Sequence, residues 1–190
     1  MSRYVLLGGT FDPVHAGHLA LATGAAVALD ALAVMVVEPG HRHRATPIAS
    51  VDDRRMLVRA AIYGEPGLCE ATELGLDSGL TGAVHQLAGQ GHEVHVVFGG
   101  DSARRLSRWN GVERLHPARL WVVPRTGTRD DGRTLAGLTT LAIRVPEVSA
   151  TQVRMLVAAG RDSAELVPAP VAAAVVRLYS ATAGASEVSA

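Results

Sequence analysis

Short apolar runs alternate with longer helical patterns along most of this chain, and that rhythm limits the folds it can adopt. The runs are rich in Val, Leu and Ala, which is typical of strands buried on both faces of a sheet. Each run is followed by a segment long enough for a crossover, so successive strands can lie parallel. The pattern predicts an α/β fold class, with one doubly wound parallel sheet and helices on both faces.

The predicted elements form a single Rossmann-like unit. Strands are expected over residues 4–7, 32–37, 68–73, 94–98, 120–123 and 141–144. Helices are expected over residues 18–28, 52–63, 80–88, 103–106, 151–159 and 170–182. No linker or internal repeat divides the chain, so residues 1–182 are predicted to form one domain. Residues 125–137 are rich in Gly, Thr, Asp and Arg and are predicted to be a mobile loop, and residues 183–190 a disordered tail.

Composition excludes several other classes of protein. The 190 residues suit one domain with a substantial core. Basic and acidic residues both number 18, so no charge excess indicates a nucleic-acid partner. The apolar segments are shorter than the roughly 20 residues of a membrane span, and the lone Cys69, expected to be buried, cannot form an intramolecular disulfide. We therefore expect a cytoplasmic protein without nucleic-acid or membrane partners, and a homo-oligomer is compatible with the sequence.

A glycine-rich turn follows the first predicted strand. Gly8, Gly9 and Thr10 would lie at the carboxyl edge of the sheet, where open α/β sheets bind ligands. Glycines let the backbone approach a phosphate closely, and the N–H groups at the start of the next helix favour an anion. Neither the G-x-G-x-x-G pattern nor the P-loop pattern is present. The segment therefore predicts a phosphate site of another type, to which Thr10 adds a hydroxyl.

His15 and His18 are three residues apart at the predicted start of a helix. That spacing places both imidazoles on one face beside the glycine turn, directed at the same phosphate. Two polar histidines that cap or pack a helix end would show the same spacing, so this alternative stays open. No Cys, His or carboxylate elsewhere has a convincing ligand spacing, so the sequence predicts no direct metal site.

A second candidate anion site lies near the end of the chain. Ser149 and Thr151 are suitable N-caps for the predicted helix that follows, and Arg154 comes one turn later. A capped surface helix is the competing interpretation. Asp101, at the end of a predicted strand, could likewise be an N-cap, bind a ribose hydroxyl or help to hold Mg²⁺.

Residues 8–18 resemble the first motif of a nucleotidyltransferase superfamily that contains nicotinate and nicotinamide mononucleotide adenylyltransferases, phosphopantetheine adenylyltransferases and cytidylyltransferases. The Gly-Gly-Thr-Phe-Asp-Pro form is most similar to the nicotinate mononucleotide branch. Residues 98–102, with the arginine and aromatic residues that follow, resemble the family's Gly-Asp segment. Residues 148–154 resemble its closing Ile-Ser-Ser-Thr-x-x-Arg motif. The resemblance extends from Arg3 to about Tyr179 and implies one nucleotidyltransferase domain.

The resemblance also implies a role for each matching residue. Catalysis would fall to His15, His18 and Arg154. Nucleotide and phosphate binding would involve Gly8, Gly9, Thr10, Phe11, Gly100, Asp101, Ser149 and Thr151. The acceptor would be bound by Arg42, Arg44, Trp109 and Arg125.

The chain departs from the family pattern at three places. Residues 39–44 read Pro-Gly-His-Arg-His-Arg where the family often has Pro-Pro-His-Lys, so either arginine can take the lysine's place. The family's nicotinate-binding Tyr-Thr step falls on Gly82-Ala83. Ala150 replaces the second serine of the closing motif and removes one hydroxyl. These changes concern the acceptor more than the chemistry.

The resemblance implies ATP-dependent adenylylation of nicotinate mononucleotide, or a close analogue, with Mg²⁺ and release of pyrophosphate in NAD biosynthesis. One alternative is a cytidylyl- or adenylyltransferase, with CTP or ATP as donor, that acts on a different phosphorylated acceptor. Another is a non-catalytic nucleotide-binding protein. The presence of both histidines together with the closing serine, threonine and arginine argues against the latter.

Overall fold

Six parallel strands form one sheet in the computed structural model, which describes residues 1–40, 46–103, 106, 112–124 and 138–180. The strands are β1 (Arg3–Gly9), β2 (Leu32–Val37), β3 (Leu68–Glu70), β4 (Glu93–Gly99), β5 (Arg119–Val123) and β6 (Thr139–Thr140). Their order is β3-β2-β1-β4-β5-β6, and the pairings are parallel. From β1, the strands β2 and β3 extend the sheet in one direction, and β4, β5 and β6 then extend it in the other. The predicted doubly wound α/β sheet is confirmed.

Helices cover both faces of this sheet. They are α1 (Ala16–Leu29), α2 (Val51–Ile62), α3 (Gly79–Gly89), α4 (Gly100–Ala103), α5 (Ala150–Ala158) and α6 (Ala172–Ser180). The alternating side chains of β1 separate the two cores: Val5 and Leu7 pack with α1, α2, α5 and α6, whereas Leu6 packs with α3. No helix in the described ranges is long and apolar enough to cross a membrane.

The register of the strands brings several strand ends to the same edge. Gly9 of β1 pairs with Val37 of β2, and Gly99 of β4 pairs with Val123 of β5. Because β1 and β4 are neighbours, the segments that leave these strands start side by side. The point where the winding reverses, between β1 and β4, is where open α/β sheets hold their ligands.

Two predicted strands were wrong in part. The strand predicted over 68–73 ends at Glu70, because the Glu70 carboxylate accepts the Thr72 N–H and a 3-10 turn follows over Ala71–Leu74. The strand predicted over 141–144 is shifted to Thr139–Thr140. Leu141 still donates its N–H to Val122 O, and the chain then leaves the sheet edge as Ile143 packs against α1.

The fourth and last helices also begin at other residues than predicted. The helix predicted over 103–106 is α4, which starts directly at the end of β4, and residues 104–105 lie outside the described ranges. The helix predicted over 170–182 is a 3-10 turn over Ala169–Val171 followed by α6. Cys69 on β3 is half-buried rather than buried, and this burial raises the pKa of its thiol to about 12. The predicted loop over 125–137 and the tail over 183–190 lie outside the described residues.

Candidate active site

A cavity of about 560 Å³ opens at the carboxyl edge of the sheet. It lies over the ends of β1, β4 and β5 and is closed on one side by the start of α5. Ten predicted site residues line it: Gly8, Gly9, Thr10, Phe11, His15, His18, Gly100, Ser149, Thr151 and Arg154. A second cavity of about 480 Å³, beside β5, contains none of the predicted site residues. The first cavity is therefore the candidate active site.

The turn after β1 is closely packed as well as open to the cavity. A Cβ on Gly8 would approach Leu80 Cδ2 to 2.7 Å, and one on Gly9 would approach the Phe11 ring to 3.0 Å. Phe11 is buried with φ of 49°, a left-handed conformation that is unusual for a bulky residue. A cis peptide bond joins Asp12 to Pro13. Internal packing, in addition to any ligand, therefore favours glycine at both positions.

His15 and His18 stack on each other at the start of α1. Their ring centroids are 3.6 Å apart and their planes differ by 21°. The His15 backbone N–H donates to His18 Nδ1 at 3.3 Å, so the proton of a neutral His18 ring is on Nε2. The Phe11 and His18 rings are nearly perpendicular, with centroids 4.8 Å apart. The histidines thus both cap the helix and line the cavity, which combines the two interpretations of their spacing.

Burial changes the protonation of His18. The surrounding protein displaces water, and this lowers the pKa of His18 well below its ordinary value of 6.5. A positive charge on the adjacent His15 lowers the pKa further. In the free protein at neutral pH, His18 is therefore a neutral ring that can donate one hydrogen bond. A bound polyphosphate would favour the charged form by its own negative charge.

The start of α5 provides hydroxyls and a guanidinium to the same cavity. Ser149 is the N-cap, and its Oγ accepts the Gln152 N–H at 3.2 Å. Arg154 Nη1 donates to the Asp12 carbonyl oxygen at 2.6 Å, and its Nη2 donates to Thr151 Oγ1 at 3.2 Å. These bonds connect α5 to the turn after β1. They place the two predicted anion sites, which are over 130 residues apart in sequence, in one cavity.

Sequence reasoning missed the buried polar side chains that support this cavity. Asp12 is 7% exposed and accepts hydrogen bonds from Ile48 N, Ala49 N and the Tyr179 hydroxyl. Arg54 is 1% exposed, and within the described part of the chain it donates only to backbone carbonyls, those of Thr10, Glu38, Pro39 and Ala49. An arginine among the apolar positions of α2 was the one sequence signal for Arg54. The sequence around Tyr179 contains no pattern that would have predicted its hydrogen bond to Asp12.

Several predicted residues are not placed by the structure or lie elsewhere. Arg42, Arg44, Trp109 and Arg125 lie outside the described residues, and the side chain of Asp101 is likewise not described. Gly82 and Ala83 lie on α3 and do not line the described cavity. A Cβ on Gly82 would overlap Ser78, and Ala83 is fully buried. The Tyr-Thr step of the family therefore has no counterpart on this part of α3.

Known proteins are similar to this chain in sequence, and others are similar to it in fold. The cytidylyltransferase-like family model matches residues 6–156. A probable nicotinate-nucleotide adenylyltransferase of Gloeobacter violaceus is 35% identical, and the match covers 96% of this chain and 98% of that protein. A protein of the same name from Halalkalibacterium halodurans is 33% identical, with 88% and 86% covered.

Solved structures of lower identity have the same fold. The nicotinic acid mononucleotide adenylyltransferase of Plasmodium falciparum, complexed with NaAD, superposes with a TM-score of 0.69 at 12% identity, over 90% of this chain and 93% of that one. Its complex with APC gives a TM-score of 0.63 at 13% identity, with the same coverage. The predicted relationship is confirmed by the sequence matches, and this chain belongs to the cytidylyltransferase-like family, in the branch of the nicotinate-nucleotide adenylyltransferases.

Proposed function

We propose that this enzyme transfers the adenylyl group of ATP to nicotinate mononucleotide and releases pyrophosphate, a step of NAD biosynthesis. The observation that carries the proposal is the cavity in which the stacked pair His15 and His18 lies together with Arg154. The full-length relatives from Gloeobacter violaceus and Halalkalibacterium halodurans carry the name of this activity. The cavity supplies the groups that such a transfer needs.

The reaction requires positioning and charge neutralisation more than proton transfer. The second pKa of a phosphate monoester is near about 6, so the acceptor phosphate is largely ionised at neutral pH and needs no general base. One of its oxygens attacks the α-phosphorus of ATP in line. As that P–O bond forms, the bond from the α-phosphorus to the bridging oxygen breaks, and its electron pair leaves with pyrophosphate. Negative charge grows on the α-phosphate oxygens and on the leaving group.

The cavity divides into parts with different tasks. The Nε2–H of His18, the neighbouring His15 and the N–H groups at the start of α1 would stabilise charge on the α-phosphate. Ser149, Thr151 and Arg154 would hold the β- and γ-phosphates. The turn Gly8–Phe11 would bind phosphate through its backbone, and Gly100 and Asp101 would bind the ribose. Acceptor binding by Arg42, Arg44, Trp109 and Arg125 remains part of the proposal.

Mg²⁺ fits this site as a companion of the triphosphate. Among the described residues no three His, Cys, Asp or Glu side chains come together as a metal cluster. Asp12 is the one carboxylate among the described lining residues, and it already accepts three hydrogen bonds. Mg²⁺ commonly retains water and binds through phosphate oxygens. It would neutralise phosphate charge here, with Asp101 as the predicted protein ligand.

The test is pyrophosphate release with Mg²⁺, using ATP or CTP with nicotinate mononucleotide, nicotinamide mononucleotide or phosphopantetheine. Turnover with ATP and nicotinate mononucleotide is expected. His18→Ala should lower kcat about 10²- to 10³-fold, because it removes one well-aimed donor, while the melting temperature changes little. His85→Ala, at an exposed position of α3, is the matched control and should retain wild-type turnover. Equal loss of folding and activity in His18→Ala would contradict the assigned role.

A different phosphorylated acceptor is the second candidate, and Gly82 and Ala83 favour it. Neither residue lines the described cavity, so a pyridine ring of the acceptor would have to be recognised by groups other than the family's Tyr-Thr step. Preference for another acceptor in the same assay would select this candidate. Tight nucleotide binding without turnover on any acceptor would instead indicate a non-catalytic nucleotide-binding protein.

A further inference from the structure

We propose that Tyr179 is a positioning residue, which acts through Asp12 to hold Arg154 in the cavity. The inference rests on the proposed function in one respect, the role of Arg154 toward phosphate. Tyr179 lies on α6, and its hydroxyl donates to Asp12 Oδ1 at 2.7 Å. Arg154 donates to the carbonyl oxygen of the same residue at 2.6 Å. None of the described residues beyond Arg154 lines the cavity, so α6 can influence it only indirectly.

Asp12 is the junction between these two side chains. Its Oδ1 also accepts the Ala49 N–H at 3.1 Å, and its Oδ2 accepts the Ile48 N–H at 2.9 Å. Arg154 Nη1 lies 4.0 Å from Oδ2, so it faces both the carboxylate and the carbonyl of Asp12. A shift of Asp12 would therefore move the group to which Arg154 is bound. The backbone of Ile48 and Ala49 restrains Asp12 from one side, and Tyr179 restrains it from α6.

The hydroxyl of Tyr179 is well suited to act as a permanent hydrogen-bond donor to Asp12. The side chain is fully buried, so the hydroxyl needs hydrogen bonding within the protein. Burial, followed by the adjacent Asp12 carboxylate, raises the pKa of Tyr179 far above its ordinary value, and the group stays protonated throughout the working range of pH. A bond from this hydroxyl to a carboxylate is charge-assisted and therefore stronger than a neutral one.

The position of Arg154 matters because a guanidinium stabilises phosphate charge only in the right geometry. Its Nη2 also bonds Thr151 Oγ1, so one side of the group is held by its own helix. The other side depends on Asp12. Without the Tyr179 hydroxyl, Asp12 would lose one of the bonds that fix its carboxylate, and Arg154 would sample other orientations. The chemistry would slow although every group that touches the substrate is still present.

A double-mutant cycle tests this. The kcat/KM for ATP and the Kd of ATP by calorimetry would be measured for wild type, Tyr179→Phe, Arg154→Ala and the double variant. Tyr179→Phe should weaken both quantities about tenfold in the wild-type background. In the Arg154→Ala background it should change them less than about twofold, because the residue on which it acts is gone. Tyr63→Phe, at a residue 90% exposed, is the matched control and should behave as wild type.

Equal losses from Tyr179→Phe in both backgrounds would overturn the proposal, because a merely structural residue acts whether or not Arg154 is present. Circular dichroism and the melting temperature would establish that each variant is folded during the assay. If Tyr179→Phe does not fold, Asp12→Asn replaces it in the cycle, since it keeps the carbonyl that Arg154 binds but weakens the junction. Full activity of Arg154→Ala would overturn both this inference and the role assigned to Arg154. Coupling in Kd without turnover would support the inference and contradict the proposed function.

Discussion

At the scale of single residues, the candidate site contains a neutral histidine, His18. The backbone N–H of His15 occupies Nδ1 of His18, which leaves the Nε2–H as donor. Burial favours the uncharged ring in the free protein. A charged His18 would bind phosphate more strongly before the reaction, but the buried charge would have to be maintained without a ligand. The neutral ring avoids that cost, and under the proposed function it would gain charge when a polyphosphate binds.

The lowered pKa of His18 predicts a pH dependence of stability. The unfolded chain takes up a proton near pH 6.5, whereas the folded protein does so only at lower pH. Below pH 6.5 the unfolded state therefore binds more protons, and the free energy of unfolding falls as the pH falls, by at most about 1.4 kcal/mol per pH unit for this residue. The lowered pKa of buried His95 acts in the same direction.

Urea unfolding at several pH values, for wild type and His18→Asn, checks this. As the pH falls below 6.5, the variant should lose less stability than wild type, because it lacks the lowered pKa of His18 and keeps that of His95. Parallel curves for both proteins would show that His18 has no lowered pKa.

At the scale of elements, the close approach of α1 to the segment before α5 shapes the cavity. Gly24 of α1 faces Ile143, and a Cβ at this position would overlap the Ile143 side chain. Gly17 likewise allows close packing, nearer the site: because it has no Cβ, it leaves room for the His15 ring and the Pro146 carbonyl. Residues 141–144, which were predicted to be the sixth strand, therefore pack against α1. The chain then continues to Ser149 at the start of α5.

We predict that Gly24→Ala lowers the free energy of unfolding by about 1–3 kcal/mol, because overpacking forces Ile143 or the helix to move. Gly89→Ala, at the end of α3 with open space around it, is the matched control and should be neutral or slightly stabilising. Urea unfolding of the two variants measures the difference. If both glycines tolerate alanine equally, α1 does not pack as closely as described.

At the scale of the whole molecule, Arg54 joins segments that leave different strands. Its guanidinium binds carbonyls at the end of β1, after β2 and just before α2. Burial lowers its pKa, and the nearby Asp12 opposes that shift. The same Asp12 is bonded by Ile48, Ala49 and Tyr179. The walls of the cavity are therefore held by a polar network buried between the sheet and its helices.

Arg54→Met should destabilise the protein by about 3–5 kcal/mol, because it leaves four backbone carbonyls around this buried side chain without their donor. Arg54→Lys keeps the charge but has one nitrogen for four carbonyls, so we expect an intermediate loss. Arg161→Met, at an exposed residue, should change stability by less than about 0.5 kcal/mol. Unfolding in urea ranks the three variants, and a small loss for Arg54→Met would mean that the network is not cooperative.

Much of the fold and site could be predicted from local patterns. Strand β2 has the predicted bounds, and the parallel order follows from the repeated strand and helix units. Ser149 forms the predicted N-cap because a hydroxyl before a helix bonds an N–H only three residues away. The bounds of the segment around Ile143 were wrong, because packing against Gly24 outweighs its apolar pattern there.

The sequence by itself determined the α/β class, the hydroxyl of Ser149 that caps α5 and the motif that belongs to a nucleotidyltransferase. All of these depend on periodicity, capping or a continuous stretch of residues. Only the tertiary structure decided that Tyr179, Asp12 and Arg154 form one chain of contacts and that Arg54 binds carbonyls of separate loops. The physical reason is distance along the chain: Tyr179 and Asp12 are 167 residues apart, so their bond exists only once α6 packs against the turn after β1.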